Sequence, residues 1–130
     1  MAVENPRVLI VDDEAVNLQI LANIIGHQGY ATMTAANGSE ALEKMRADCP
    51  DIILLDVQMP VMNGLECLKE VRKQYSAVDL PVIMVTVKDE SEDIVKALDA
   101  GANDYVTKPI DVSVLLARLR THLAIKKKPS

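Results

Sequence analysis

The chain has no tryptophan and no phenylalanine, and three tyrosines are its whole aromatic complement. A surface that stacks nucleic-acid bases on aromatic rings is therefore excluded. Cysteine is scarce as well. Cys49 and Cys67 form no CxxC pair, and they read as free thiols rather than as a cross-link or a metal site. A basic excess is missing: 14 Lys and Arg stand against 19 Asp and Glu, for a formal charge of −5. That balance argues against general affinity for nucleic acid. No apolar run approaches membrane-spanning length. The first apolar run, Val8 to Val11, ends in Asp12-Asp13-Glu14, which no signal peptide does. The expected location is the cytoplasm.

What is present is an ordinary globular composition, 49% hydrophobic and 25% charged over 130 residues. This is enough chain for one domain with a proper core. Residues 1–125 form the expected domain, and residues 126–130 a basic polar tail or the start of a linker.

Apolar runs and helical periodicity alternate along the chain. Strands are expected at 7–11, 30–35, 52–56, 82–85 and 105–107. The first helix carries Leu18, Leu21, Ala22 and Ile25 inward and stops at Gly26 and Gly29. After an Asn37-Gly38 turn, Ser39 begins a second helix with Ala41, Leu42 and Met45 inward. A third follows a turn at Pro60 and runs from about Gly64 to Tyr75, burying Leu65, Leu68 and Val71. The fourth, capped by Asp89 or Ser91, turns Ile94, Ala97 and Leu98 to one face and ends at Gly101. The fifth starts near Asp111 and buries Val112, Leu115, Leu116, Leu119 and Leu123. Five strand–helix repeats with short connections call for an α/β fold: one doubly wound, five-stranded parallel sheet. A flavodoxin-like order, 2-1-3-4-5, sets the first and third strands side by side at the switch point.

That order gathers chemistry at the sheet's carboxyl edge. Asp12 and Asp13 end the first strand, Asp56 the third, Thr86 the fourth and Lys108 the fifth. Three clustered carboxylates stay ionised only beside positive charge. Lys108 supplies one cation, and a hard divalent ion such as Mg²⁺, which takes carboxylate oxygens, supplies another. With the Thr86 hydroxyl added, the set suits a phosphoryl group received by a carboxylate nucleophile, and no general base is needed.

The motifs are Val-Asp-Asp-Glu at 11–14, Asp-Val-Gln-Met-Pro-Val-Met-Asn-Gly at 56–64, Val-Thr at 85–86, Gly-Ala-Asn-Asp-Tyr at 101–105 and Thr-Lys-Pro at 107–109. In this order they resemble the receiver domain of bacterial two-component response regulators, over nearly the whole chain. The resemblance implies that Asp56 accepts a phosphoryl group from the phosphohistidine of a sensor histidine kinase or phosphotransfer protein, or from acetyl phosphate. It implies that Asp13 and Asp56 ligate Mg²⁺ directly, Asp12 mainly through water, and Gln58 through its backbone carbonyl. Lys108 would pair with Asp56 and then with a phosphoryl oxygen. Thr86 would move toward the phosphate and Tyr105 rotate inward behind it. The Lys108–Pro109 bond would be cis. The face of helix four, strand five and helix five would then change its preference for an output domain, a downstream protein or a second copy. Such a protein is a switch that phosphorylates and dephosphorylates itself, rather than an enzyme. Asn17 and Arg-Thr-His-Leu at 120–123 also resemble receivers attached to larger signalling proteins.

Val87 departs from the family, which favours a small residue after the switch threonine. Its bulk predicts slower loading from small donors or a longer-lived phosphoryl group. Gln58 and Lys88 also flank the site. The alternatives are an aspartyl-nucleophile phosphohydrolase and a degenerate receiver that binds partners without phosphorylation. Haloacid-dehalogenase-type phosphatases carry a second Asp two residues after the nucleophile, where this chain has Gln58. Each residue also has a plainer reading. Asp56 can be a turn residue, Asp12 and Asp13 can favour a helix N-terminus, Lys108 can be solvated and Tyr105 can be a core ring. His27 and His122 read as surface or helix-end residues, Met33, Met45, Met59, Met62 and Met84 as packing, and Lys126 to Lys128 as a solvated end.

Overall fold

The computed structural model describes residues 5–59, 62–87 and 91–127, the side chains of 126 and 127 excepted. Pro60, Lys88, Asp89 and Lys128 lie outside the described residues. In chain order the elements are β1 (Arg7–Val11), α1 (Ala15–His27), β2 (Ala31–Ala35), α2 (Gly38–Ala47), β3 (Ile52–Asp56), α3 (Gly64–Gln74), β4 (Val82–Val87), α4 (Ser91–Asp99), β5 (Asp104–Lys108) and α5 (Val112–Lys127). All four strand pairings are parallel, as the alternation requires, and the sheet has the expected flavodoxin-like order, β2-β1-β3-β4-β5.

The continuous apolar runs lie where both faces of the sheet are covered. β3 is buried along its whole length and β1 along all but Arg7. Side chains alternate across a strand. Leu9, Val11, Ile53 and Leu55 therefore pack with α2, α3 and Ala97 of α4 on one face. Val8, Ile10, Ile52 and Leu54 pack with α1 and α5 on the other. β2 is an edge strand with Ala31 and Thr32 exposed, which explains its mixed composition. The five methionines named above pack against one of these cores, Met84 fully buried. Cys49 is exposed, Cys67 is buried, and both are free.

Several boundaries and faces differ from the sequence expectation. Gly26 lies inside α1, and the chain turns at Gly29, whose φ of 93° is where glycine carries no Cβ penalty. Asn37, rather than Ser39, starts α2: its side chain accepts the Glu40 N–H at 2.8 Å. Leu98 is 43% exposed, because α4 docks on the sheet through the small Ala97, and the next residue is turned about 100° off that stripe. Val112 is 38% exposed at the first turn of α5, while Leu115, Leu119 and Leu123 fill the core. α5 continues through Lys127, two residues into the expected polar end.

α3 opens with a reciprocal capping box. Asn63 accepts the Glu66 N–H at 2.9 Å and Glu66 accepts the Asn63 N–H at 3.1 Å. This fixes the helix that follows the Asp56 loop. At the opposite end of the sheet, Arg72 of α3 donates to the carbonyls of Gly101 and Leu80 and to the Asn103 side chain, at 2.8, 2.8 and 2.9 Å. It joins the segments that lead into β4 and β5.

Candidate functional site

β1 and β3 are neighbours in register, and the connections leave in opposite directions at that point. The two strands deliver Asp12 and Asp56 to one crevice, both 3% exposed. Asp13 follows on the solvent side. Carboxylate oxygens of Asp12, Asp13 and Asp56 lie within 4.8 Å of one another. Asp12 is held in place by its N–H, which donates to Ala35 O at 3.1 Å, and by its Oδ1, which accepts the Glu14 N–H at 2.9 Å.

Asp56 has two further partners. Its Oδ2 accepts from Lys108 Nζ at 3.0 Å, and its Oδ1 accepts the Gln58 N–H at 3.1 Å. Lys108 ends β5, beside Val87 in the β4–β5 register. The peptide bond to Pro109 is cis. Burial pushes the Asp56 carboxyl above its ordinary range, and the bonds to Lys108 and Gln58 offset that only in part. For Lys108, burial acts to lower the ammonium, but the bond to Asp56 and the charges of Asp56, Asp12 and Glu14 raise it overall. The pair is a pinned contact inside an excess of negative charge, with one ammonium against three carboxylates.

Thr86, one strand over, is 2% exposed, and its Oγ1 has no hydrogen-bond partner among the described residues. A buried hydroxyl without a partner costs about 1–3 kcal/mol, so its position at this edge calls for an acceptor. Thr86 pairs in register with Thr107. Tyr105 lies two positions back along β5 and so shares the face of the sheet that Thr86 occupies. Its ring is half-buried against the core on the α3–α4 side.

The structure thus brings Asp12, Asp13, Asp56 and Lys108 to one edge, with Thr86 and Gln58 beside them and Tyr105 behind. The donor set fits a hard divalent cation: oxygen ligands, clustered, with net negative charge to neutralise. It fits a phosphoryl group equally, through Lys108 and the unsatisfied Thr86 hydroxyl.

One group was not legible in the sequence as a site. His122 is not a plain surface residue: its side chain is 15% exposed and its Nε2 lies 3.0 Å from Asp104 Oδ2. Arg118, one helical turn earlier on α5, binds Asp104 Oδ1. The signal available was the i, i+4 spacing of Arg118 and His122 on a helix that follows an acidic strand start. His27 sits at the exposed end of α1, as read.

A doubly wound sheet carrying acids at its switch point, with a threonine and a lysine beside them on the same carboxyl edge, defines the class of small α/β modules with an acidic, lysine-bridged site. Within that class the family is specific. The family model of the response regulator receiver domain matches residues 8–120, and the chain belongs to that family. Solved structures agree. The chemotaxis protein CheY4 of Vibrio cholerae is 35% identical with a TM-score of 0.83, over 90% of this chain and 98% of that one. The receiver domain of the Francisella response regulator 1452 is 32% identical with a TM-score of 0.86, over 95% and 100%. The receiver domain of a signal transduction histidine kinase from Syntrophus aciditrophicus is 32% identical with a TM-score of 0.86, over 96% and 95%. Among the described residues, no helix is long and apolar enough to cross a membrane.

Proposed function

We propose that this receiver is a phosphoacceptor switch acting in the cytoplasm, in which Asp56 takes its phosphoryl group from the phosphohistidine of a sensor histidine kinase or phosphotransfer protein. The observation that carries the reading is the Asp56–Lys108 contact at 3.0 Å inside the Asp12–Asp13–Asp56 cluster. An Asp56 oxygen attacks phosphorus, the P–N bond breaks, and the electron pair stays on the imidazole nitrogen, which takes up a proton. The product is an acyl phosphate on Asp56. Asp13, Asp56, the Gln58 carbonyl and, mainly through water, Asp12 would hold Mg²⁺, which would supply positive charge to the phosphoryl oxygens. Lys108 Nζ transfers its bond from Asp56 to a phosphoryl oxygen. The Thr86 hydroxyl donates to another, which gives its unsatisfied Oγ1 a partner.

Movement of Thr86 vacates space on the face it shares with Tyr105, and the ring follows. The readout is the surface of α4, β5 and α5, where Val95, Leu98 and Val114 are exposed apolar side chains. An output domain, a downstream protein or a second copy binds that surface in one state better than in the other. Only self-phosphorylation and self-dephosphorylation are catalysed, so the protein is a switch rather than an enzyme with external substrates.

The test is incubation with acetyl phosphate and Mg²⁺ followed by intact mass measurement. The expected result is a gain of one phosphoryl group, acid-stable and base-labile, absent in Asp56→Asn. Many turnovers of an unrelated phosphate ester, with no stable adduct, would overturn the reading in favour of a phosphohydrolase.

A further inference from the structure

β5 is the edge strand of the sheet, so a side chain from α5 can reach around it to the opposite face. Arg118 does so. Its neighbours Leu115 and Leu119 pack on the α1–α5 side, while its guanidinium lies 5.8 Å from the centre of the Tyr105 ring. That is cation–π range. The guanidinium is held there by Asp104, whose carboxylate also accepts the Tyr105 N–H at 2.9 Å and contacts His122 at 3.0 Å. Asp104 therefore fastens both the backbone of the aromatic residue and the cation that lies over its ring. Arg118 Nε is buried without a partner among the described residues, so the guanidinium keeps this position at the expense of one donor. Geometry that leaves a donor unsatisfied is held by its other contacts.

We propose that Arg118, pinned by Asp104, which His122 contacts in turn, is a latch that holds the Tyr105 ring in its resting position and sets the threshold at which the switch turns. The proposal rests on the reading of Tyr105 as the ring that moves. Arg118 is a positioning residue in this scheme and touches neither Asp56 nor the phosphoryl group. Because the latch favours the resting ring, its release favours the loaded conformation, and by linkage it also favours loading of Asp56.

The test uses the full chain with Tyr30→Phe and Tyr75→Phe, so that 3-fluorotyrosine reports position 105 alone. Fluorine spectra are recorded at rest and after loading with acetyl phosphate and Mg²⁺. In Arg118→Met the resting line is expected to move toward the loaded position, with about a two- to five-fold larger loaded-like population, as loss of one half-buried cation–π contact implies. Asp104→Asn is expected to shift it in the same direction, and Arg118→Lys to restore most of the resting position. Folding is checked by the urea midpoint of each variant. A resting line in folded Arg118→Met that coincides with that of the parent overturns the latch. Full loading of the parent with no movement of the line overturns both the Tyr105 reading and the latch. Absence of loading counts against the phosphoacceptor reading and, with it, the threshold role of the latch, whereas the resting lines of Arg118→Met and Arg118→Lys report the Arg118–Tyr105 contact by itself.

Discussion

Gly64 stands directly behind Asp56, and adding one methyl group there tests how tightly the site is built. A Cβ at this position would lie 2.3 Å from the Asp56 carbonyl oxygen, 2.7 Å from Val57 Cα and 2.9 Å from Asp56 C. Ordinary carbon contacts begin near about 3.5 Å. Every one of these neighbours is backbone, so no rotamer change relieves the overlap. Space can come only from moving the end of β3 or the start of α3 by about 1 Å. β3 is clamped between β1 and β4, and α3 is held by its capping box, by Leu68 and Val71, and by the Gly64 N–H on Val57 O at 2.8 Å. Overpacking of this kind costs about 1–3 kcal/mol, and backbone on all sides puts Gly64→Ala at the upper end. For a domain of this size the unfolding temperature falls by about 10 °C. A 1 Å displacement of Asp56 also slows loading by about 100-fold at a temperature where the variant is folded. Gly26→Ala is the control: no atom lies within 4 Å of its Cβ, and the position is inside α1. It is expected to stabilise by about 0.5–1 kcal/mol. Urea titrations followed by circular dichroism, with loading from acetyl phosphate followed by intact mass, measure both. A Gly64→Ala protein with parental midpoint and loading rate would show that the loop has slack and that the argument is wrong.

Mg²⁺ at about 100 times its dissociation constant is expected to add about 2.7 kcal/mol of stability in a thermal shift assay; Asp13→Asn abolishes the shift, and a parental response in that variant refutes the ligand assignment. Asp104 gives a pH signature. Burial raises its carboxyl, but the bonds to His122, the Tyr105 N–H and Arg118 leave it below the ordinary carboxylate range. A depressed folded-state pKa stabilises above the unfolded value of 3.8, and that stability is lost as pH falls through the folded value. Asp104→Asn is accordingly expected to cost about 1–2 kcal/mol at neutral pH and to converge with the parent in acid, as read from urea midpoints across pH; a constant difference at every pH removes the charge from the explanation. Val87 is 37% exposed and pairs in register with Lys108. Val87→Ala is expected to speed loading from acetyl phosphate and adduct decay by about 2- to 10-fold, a barrier change of about 0.4–1.4 kcal/mol, and unchanged rates by mass measurement would dismiss the side chain as a gate.

The central strands were legible because burial on both faces leaves no polar position to dilute the pattern. Ile52 to Leu55 and Val8 to Val11 are such runs, and each ends in an acid of the site. Strand order then followed from taking these two most apolar runs as central in a flavodoxin-like sheet, and that order brought Asp12 and Asp13 to Asp56. Helix faces were less legible. Periodicity assigned Leu98 and Val112 inward, but the buried stripe of α4 is centred on Ala97 and that of α5 on Leu115 and Leu119. How a helix is rolled on the sheet depends on the size of the residue at the contact, which hydrophobicity does not report. Arg72 and the Asp104–Arg118–His122 group were out of reach for a different reason. They join residues on separate elements through single polar contacts; the i, i+4 spacing puts Arg118 and His122 on one helix face but does not name Asp104 as their partner.

Stability and function pull against each other at the carboxyl edge, and that conflict is what made the edge readable. A fold selected for stability alone would not bury Asp12 and Asp56 beside a third carboxylate, nor leave the Thr86 hydroxyl without a partner among the described residues. Lys108 offsets part of the repulsion, yet burial still leaves Asp56 harder to ionise than a solvated acid. The proposed cation and phosphoryl group would resolve these defects together: charge for the acids, an acceptor for Thr86 and a new partner for Lys108. That charge imbalance is the physical basis of the proposed phosphoacceptor role, and the apolar remainder of the sheet is the frame that holds five charged and polar groups in this unfavourable arrangement.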